Sequence, residues 1–377
     1  HHLHSMTYGT FNEEAKKGAQ AILYAVLQTG DAVALMLPSE LKYINIFLGI
    51  QIAGGLALPI YPPIRASQIE DHVARHAKIL ENARATILVT FDQVKALAVL
   101  LRARAPMLDK ILTPDDLLTG PAIETPPPIA ADDIAFLQYT SGSTGNPKGV
   151  VLTHANILAN IRAMDRALQT SPNDVFVSWL PLYHDMGLIG AWIGSLYVGF
   201  TLVLMSPLSF LSRPHRWLQA IHQHRGTISG GPNFSYELCS SRIADTDIEG
   251  LDLSSWRTAF NGAEPVSADT LRKFTQRFEP YGFDASAVAP VYGLAEATLG
   301  VGFPPPSRGL LVDVVSRETL AAEARAEPVD SDHPDAIEIV ACGQPMLGYQ
   351  VRITDEAGRE LPDRHQGRLE FKGPSTT

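Results

Sequence analysis

The chain has 377 residues, 45% of them hydrophobic, which is enough apolar material for a large core and, by length, two or three structural units. A formal net charge of −10 argues against nucleic acid or an anionic membrane as the main partner, because such phosphate-bearing surfaces are met by basic ones. Two cysteines, Cys239 and Cys342, lie far apart in no metal-like spacing, which disfavours a secreted disulfide scaffold and points to a reducing cytoplasm.

The chain opens on His1-His2-Leu3-His4-Ser5-Met6, read as the remnant of a purification tag (residues 1–6) and set apart from the fold. Apolar bursts of strand length then recur at 32–37, 85–90, 134–139, 175–179, 201–204, 227–229, 257–260 and 288–292. Between them, 41–53, 66–82, 155–168 and 213–224 carry helical periodicity. This alternation predicts an α/β protein, with two α/β subdomains on mainly parallel sheets over residues 7–300. The run from Met186 to Met205 is uncharged and long enough for a membrane span, but glycines punctuate it and basic flanks are missing. It is expected to form a core helix to about Tyr197 and then a buried strand, with no stable membrane insertion. From about Gly302 the texture changes to Pro304-Pro305-Pro306, an acidic polar stretch through Pro334, and short strands at 338–341, 350–354 and 368–372. Residues 301–377 are expected to form a small β-rich, barrel-like subdomain with an insertion near 302–334.

The most informative stretch is Tyr139 to Gly149, YTSGSTGNPKG, just after a strand that Pro126-Pro127-Pro128 sets off. The hydroxyls of Thr140, Ser141, Ser143 and Thr144, the backbone N–H groups around Gly142 and Gly145, and the Lys148 ammonium form a set suited to a polyphosphate. The Walker spacing fails, because Pro147 stands where its second glycine belongs. Gly149-Val150-Val151-Leu152 reads as a strand rather than a helix, so the clamp should join two strands. Pro181-Leu182-Tyr183-His184-Asp185-Met186-Gly187-Leu188 places an imidazole at the mouth of an apolar region, either a satisfied loop histidine or a contact for a substrate carboxylate. Asn261-Gly262-Ala263-Glu264-Pro265 follows a strand and is an ordinary turn or a place where backbone approaches a flat ring. Val291-Tyr292-Gly293-Leu294-Ala295-Glu296 offers an aromatic face and, four residues on, a carboxylate. Pro214 opens a predicted helix whose Trp217, Leu218 and Ile221 form one apolar stripe, read as core.

Taken together, these strings resemble the adenylate-forming superfamily, and the wording from Met205 to Cys239 resembles its fatty acyl-AMP ligases more than its acyl-CoA ligases. The resemblance runs from roughly Tyr8 to Pro374 and implies the large N-terminal domain of such an enzyme. It implies that Thr140, Ser141, Gly142, Ser143, Thr144, Gly145 and Lys148 bind ATP phosphates, and that Gly262, Ala263, Glu264, Tyr292, Gly293 and Leu294 surround the adenine. Glu296, helped by Thr140, would hold Mg²⁺, which takes hard oxygen ligands and keeps several waters. His184, Lys148 and Glu296 are the implied catalytic residues. His184, Met186, Leu188, Ile189, Gly230, Gly231 and Phe234 would contact a fatty acid, and the acceptor would be the phosphopantetheine thiol of an acyl carrier protein. Amino-acid-activating members carry FDxS in place of the histidine motif. Phe283-Asp284-Ala285-Ser286 matches that wording in the wrong place and is taken as a decoy. After Gly367-Arg368-Leu369-Glu370-Phe371-Lys372-Gly373-Pro374 the family's ribose-binding aspartate, hinge and C-terminal domain are expected, and the sequence stops short of them. An acyl-CoA ligase and a noncatalytic nucleotide-binding module stay open as alternatives.

Overall fold

A computed structural model describes residues 4–24, 30–63, 69–118, 121–140 and 147–377. The chain divides into two compact units, one comprising His1–Leu158 with Pro181–Leu188 and Thr377, the other Ala159–Leu180 with Ile189–Thr376.

The first unit begins with helix α1 (Tyr8–Tyr24) and then alternates strand and helix: β1 (Ala32–Met36), α2 (Leu41–Ile52), β2 (Leu56–Pro59), α3 (Ile69–Asn82), β3 (Ile87–Thr90), α4 (Lys95–Arg104), β4 (Lys110–Leu112), α5 (Pro114–Leu117), β5 (Ile134–Thr140) and β6 (Lys148–Thr153). The strands form one sheet in the order β4-β3-β1-β2-β5-β6, parallel except for the antiparallel β5–β6 pair. All five residues of β1 are buried, as expected of a strand covered on both faces by crossover helices. α3 buries His72, Val73, His76, Ala77, Ile79 and Leu80 on one helical face, so its two histidines lie on the apolar stripe. The strands β2 and β4, four and three residues long, have no counterpart in the sequence expectation because they are too short to show a period.

Helix α6 (His154–Leu168) has residues in both units. The second unit adds β7 (Val175–Ser178), α7 (Gly194–Val198), β8 (Thr201–Leu204), α8 (Pro207–Ser212), α9 (His215–His224), β9 (Ile228–Gly231), α10 (Asn233–Arg242), β10 (Thr258–Asn261), α11 (Ala268–Phe278) and β11 (Val288–Pro290). Its sheet runs β11-β10-β9-β7-β8 and is parallel throughout. The uncharged run resolves into a π-helix at Met186–Ile193, then α7, a left-handed cap at Gly199, and β8. Among the described residues no helix is long and apolar enough to cross a membrane. Trp217, Leu218 and Ile221 are fully buried, as the stripe on α9 predicts. Phe283 is buried and Asp284 accepts the Ser286 N–H at 2.8 Å, so the FDxS-like string is a core anchor followed by a capped turn.

The β-rich part lies within this second unit. β12 (Tyr292–Gly293), β13 (Gly300–Phe303) and β16 (Gln344–Pro345) form one small antiparallel sheet, β14 (Val312–Ser316) pairs with β15 (Ala336–Val340), and β17 (Gln350–Thr354) pairs with β18 (Arg368–Lys372). The polar stretch expected as an insertion is an ordered strand–helix–strand module, with α12 (Arg317–Glu323) between β14 and β15. A bidentate Arg272–Glu338 pair at 2.7 and 2.8 Å ties β15 to α11.

Candidate functional site

Within the first unit, β5 and β6 are the strands on either side of the hydroxyl- and glycine-rich loop, and Thr140 pairs directly with Lys148 where the ladder closes. The hairpin is the topology that the failed Walker spacing anticipated. Ser141, Gly142, Ser143, Thr144 and Gly145 lie outside the described residues. Lys148 is exposed at the mouth of the hairpin. Tyr139 donates to Asn82 Oδ1 at 2.5 Å, tying β5 to the last residue of α3.

The segment bearing His184 is held by three side chains from separate elements. Ser39 Oγ accepts the Leu182 N–H at 2.9 Å, Tyr43 donates to the Leu182 carbonyl at 2.9 Å, and Gln138 Nε2 donates to the Tyr183 carbonyl at 3.3 Å. His184 itself keeps about half of its side chain exposed (53%), with Nδ1 2.7 Å from Asp185 Oδ1. That same carboxylate oxygen accepts the Met186 N–H at 2.7 Å, so Asp185 fixes the ring and caps the following helix together. Desolvation pulls the imidazole pKa down, but the charge and hydrogen bond of Asp185 outweigh it and hold the pKa above its ordinary value. The bond at Nδ1 leaves Nε2 as the nitrogen available to a ligand. The histidine is partnered through Nδ1 and stays accessible as a side chain.

In the second unit the site-forming segments leave the same end of one sheet. Phe260 pairs with Gly230, Asn261 with Gly231, and Asn261 with Pro290, so the carboxyl ends of β9, β10 and β11 lie side by side. Gly231-Pro232-Asn233-Phe234, Gly262-Ala263-Glu264 and Val291-Tyr292 all issue from that edge, the usual ligand position in a parallel α/β sheet. Tyr292 is 38% exposed and Phe234 40%. Ala263 adopts a left-handed φ of 70°, which turns the chain sharply. Leu294 is half-buried and follows the Tyr292–Gly293 strand into the turn at Ala295–Ala297 that carries exposed Glu296. Glu264 Oε1 accepts the Phe234 N–H at 2.7 Å, so its carboxylate ties two of the edge segments together. Asn261 Oδ1, which the sequence motifs did not single out, is buried with no hydrogen-bond partner. A buried acceptor at a ligand edge calls for a donor such as a ring amine. Its one sequence signal was an asparagine ending a strand just before Gly262.

The expected acyl contacts divide. A Cβ at Gly230 would sit 2.1 Å from the Phe260 carbonyl oxygen, and one at Gly231 2.5 Å from the Trp179 ring. These glycines are small because neighbouring groups fill their space. Leu188 and Ile189 are fully buried, whereas Met186 is half-buried and Phe234, whose ring centroid is 5.9 Å from that of Trp179, is exposed.

Among the described residues no group of three or more His, Cys, Asp or Glu side chains is arranged to hold a metal ion. The donor set therefore does not form a protein cage. One carboxylate at Glu296 fits an Mg²⁺ that arrives with most of its ligands supplied by triphosphate and water.

The family model for AMP-binding enzymes matches residues 2–377. A medium-chain-fatty-acid–[acyl-carrier-protein] ligase of Teredinibacter turnerae is 35% identical over 90% of this chain and 58% of its own length. A long-chain-fatty-acid–AMP ligase of Mycolicibacterium smegmatis is 34% identical over 98% of this chain and 59% of its own. The chain thus spans about three fifths of the length of these relatives. The crystal structure of a fatty acyl-adenylate ligase from L. pneumophila, in complex with acyl adenylate and pyrophosphate, superposes with a TM-score of 0.90 at 35% identity, covering 99% of this chain and 64% of that one.

Proposed function

Because this chain belongs to the AMP-binding enzyme family, alongside fatty acyl-AMP ligases, we propose that it serves the ATP-dependent conversion of a fatty acid to a fatty acyl-AMP. The observation that carries the reading is the shared carboxyl edge of β9, β10 and β11, which gathers Tyr292, the Gly262–Glu264 turn and the buried Asn261 acceptor. A carboxylate is a weak electrophile. Its oxygen attacks the α-phosphorus of ATP, the bond to the β-phosphate oxygen breaks, and pyrophosphate leaves with the electron pair. The product is a mixed anhydride whose acyl carbon is open to a nucleophile.

The chain's own residues position and neutralise charge in this reaction. His184, oriented through Nδ1 by Asp185, presents Nε2 to the fatty-acid carboxylate. Lys148 and the loop that β5 and β6 flank bind the phosphates, Tyr292 lies against the adenine, and Asn261 Oδ1 accepts from its amine. Glu296 would hold Mg²⁺, which offsets phosphate charge when bound. Met186, half-buried beside His184, and Phe234, exposed on the carboxyl edge of the second sheet, are the apolar side chains accessible to acyl carbons. The relative from Teredinibacter turnerae is named for transfer to an acyl carrier protein, and this supports the same acceptor: the phosphopantetheine sulfur attacks the acyl carbon and AMP departs.

Incubation of the protein with ATP, Mg²⁺ and a ladder of fatty acids, followed by mass spectrometry, should reveal acyl-AMP. Lys148→Ala should lower its formation by the equivalent of about 3 to 4 kcal/mol, the usual cost of one preorganised donor to a developing charge. Acyl-AMP yields unchanged in Lys148→Ala would remove the phosphate assignment, and product without nucleotide dependence would remove the adenylation reading.

A further inference from the structure

The turn that carries Glu296 is strained, and a buried polar network sits directly beneath it. Ala295–Ala297 is a single 3₁₀ turn between β12 and β13, flanked by buried Ala295 and Ala297. Thr298 closes it with φ 74° and ψ −53°, the rare strained γ-turn geometry, at a fully buried β-branched residue. A Cβ at Gly293 would lie 1.9 Å from the Leu299 carbonyl oxygen, so the two strands approach as closely as backbone allows. Backbone hydrogen bonds from Ala297 to Leu294 at 3.0 Å and from Thr298 to Ala295 at 2.8 Å close the turn, but they do not remove the strain at Thr298, which the surroundings hold in place.

Asn160, fully buried on α6, supplies that surrounding. Its Oδ1 accepts the Gly300 N–H at 3.0 Å, and its Nδ2 lies 3.0 Å from the Ala297 carbonyl, 2.9 Å from the Gly300 carbonyl, 2.9 Å from Tyr349 Oη and 3.0 Å from Ser375 Oγ. An amide nitrogen has two hydrogens, so these four acceptors share them, and the hydroxyls must complete the pattern. They do. Ser375 Oγ donates to the Ala297 carbonyl at 2.7 Å and lies 2.6 Å from Tyr349 Oη, while Thr298 Oγ1 donates to the Ser375 carbonyl at 2.9 Å. Ser375 is itself fully buried and Tyr349 nearly so. The backbone that follows Glu296, at Ala297, Thr298 and Gly300, is thereby anchored to α6 and to residues 349 and 375, far away in sequence.

We propose that Asn160, Tyr349 and Ser375 are positioning residues that hold the Glu296 turn in the conformation that receives nucleotide-bound Mg²⁺. The inference rests on the reading of Glu296 as the Mg²⁺ contact and adds the residues through which that contact is set. All three act through the backbone of the turn, without touching the ion or the nucleotide. A purely structural network would change melting temperature alone, whereas a positioning network also shifts metal dependence.

The test is ATP binding by calorimetry across an Mg²⁺ titration, repeated with Mn²⁺ and read by the paramagnetic broadening of ATP phosphorus signals. Glu296→Gln, Asn160→Ala, Tyr349→Phe and Ser375→Ala are compared, with a thermal melt of each. Asn160→Ala is expected to raise the metal concentration for half-maximal ATP binding about tenfold, the equivalent of losing roughly one buried hydrogen bond's worth of preorganisation. Tyr349→Phe and Ser375→Ala should shift it in the same direction by less, and they keep the test open should Asn160→Ala fail to fold. If Glu296→Gln shifts metal dependence while the folded network variants do not, the positioning proposal is overturned and the ligand reading survives. If Glu296→Gln itself leaves metal dependence unchanged, the ligand reading falls and the proposal with it.

Discussion

The two sheets of this molecule solve the same packing problem with different material. One core cluster of the first unit is filled by aliphatic side chains: Met36, Leu58, Leu80, Leu88 and Leu101 are completely buried among Ala, Val and Ile neighbours, and the rings of Tyr43, Phe47 and Phe136 pack apart from it. The second unit is filled by rings. Trp217 lies 5.3 Å from Trp256, 5.6 Å from Phe210 and 5.7 Å from Tyr236 between ring centroids, and Tyr236, Trp256 and Phe283 all contact Phe274. Indole and phenol groups bring polar atoms inside: Trp217 Nε1 donates to Ser229 Oγ at 2.7 Å and Tyr236 to the Phe260 carbonyl at 2.7 Å, while the buried Trp179 Nε1 has no hydrogen-bond partner. Tyr236 thereby fixes β10 two residues before Gly262, so the aromatic core sets the position of a site segment as well as the stability of the unit.

The sharpest way to break the contrast is truncation on both sides. Trp217→Ala should cost about 3 to 5 kcal/mol, and Leu88→Ala about 2 to 5 kcal/mol, in urea unfolding. If the ring network matters beyond burial, Trp217→Ala should also weaken ATP binding in the folded protein, and Leu88→Ala should not. Equal effects on ATP binding would remove the link between the aromatic core and the site.

A second difference is acid sensitivity, which should belong to the first unit. His72 and His76 stack with ring centroids 3.9 Å apart, and Tyr61 lies edge-on to both. Burial holds their pKa values down to about 4 and about 3, with His72 and Arg75 adding to the effect at His76. The unfolded chain binds protons below about 6.5 that the folded one refuses, so stability should fall as pH drops from 6.5 toward 4. The slope is at most about 1.4 kcal/mol per pH unit for each histidine that stays neutral in the folded protein. A His72→Phe, His76→Leu pair should flatten this slope in pH-dependent denaturation. An unchanged slope would place the acid sensitivity elsewhere.

Smaller effects separate the units further. Ser267 caps α11 by accepting the Thr270 N–H at 3.2 Å, so Ser267→Ala should cost about 1 kcal/mol in thermal unfolding. Asp185→Asn acts on His184 with opposite sign to the buried pair. A raised imidazole pKa contributes stability below about 6.5 that is lost as pH rises through the folded value. The variant should abolish that contribution and move the His184 titration downward by NMR, with little change in global stability at high pH. A titration that does not move would show that Asp185 does not tune the ring.

Much of this was legible in the chain. The helices at α2, α3, α6 and α9 and the strands that feed the site appear where apolar periodicity places them, and the clamp is flanked by two strands as its composition implied. Other features had no sequence signal. Gly230 and Gly231 read as contacts for a fatty acid, and the space next to each is filled by Phe260 and Trp179, which the neighbouring strand and loop put there. Glu264 read as an adenine contact, and its carboxylate reaches the Phe234 N–H from a segment thirty residues away.

The sequence by itself determined the family, the alternation of strand and helix, the hairpin topology of the clamp and the identity of the buried stripe on α9, because each depends on local period, turn chemistry or an ordered motif. Only the tertiary structure decided that the carboxyl ends of β9, β10 and β11 form one edge, and that Asn160, Tyr349 and Ser375 meet under the Glu296 turn. The physical reason is range. Strand register and buried hydrogen bonds join residues far apart in the chain, and their partners are chosen by packing that no local pattern records.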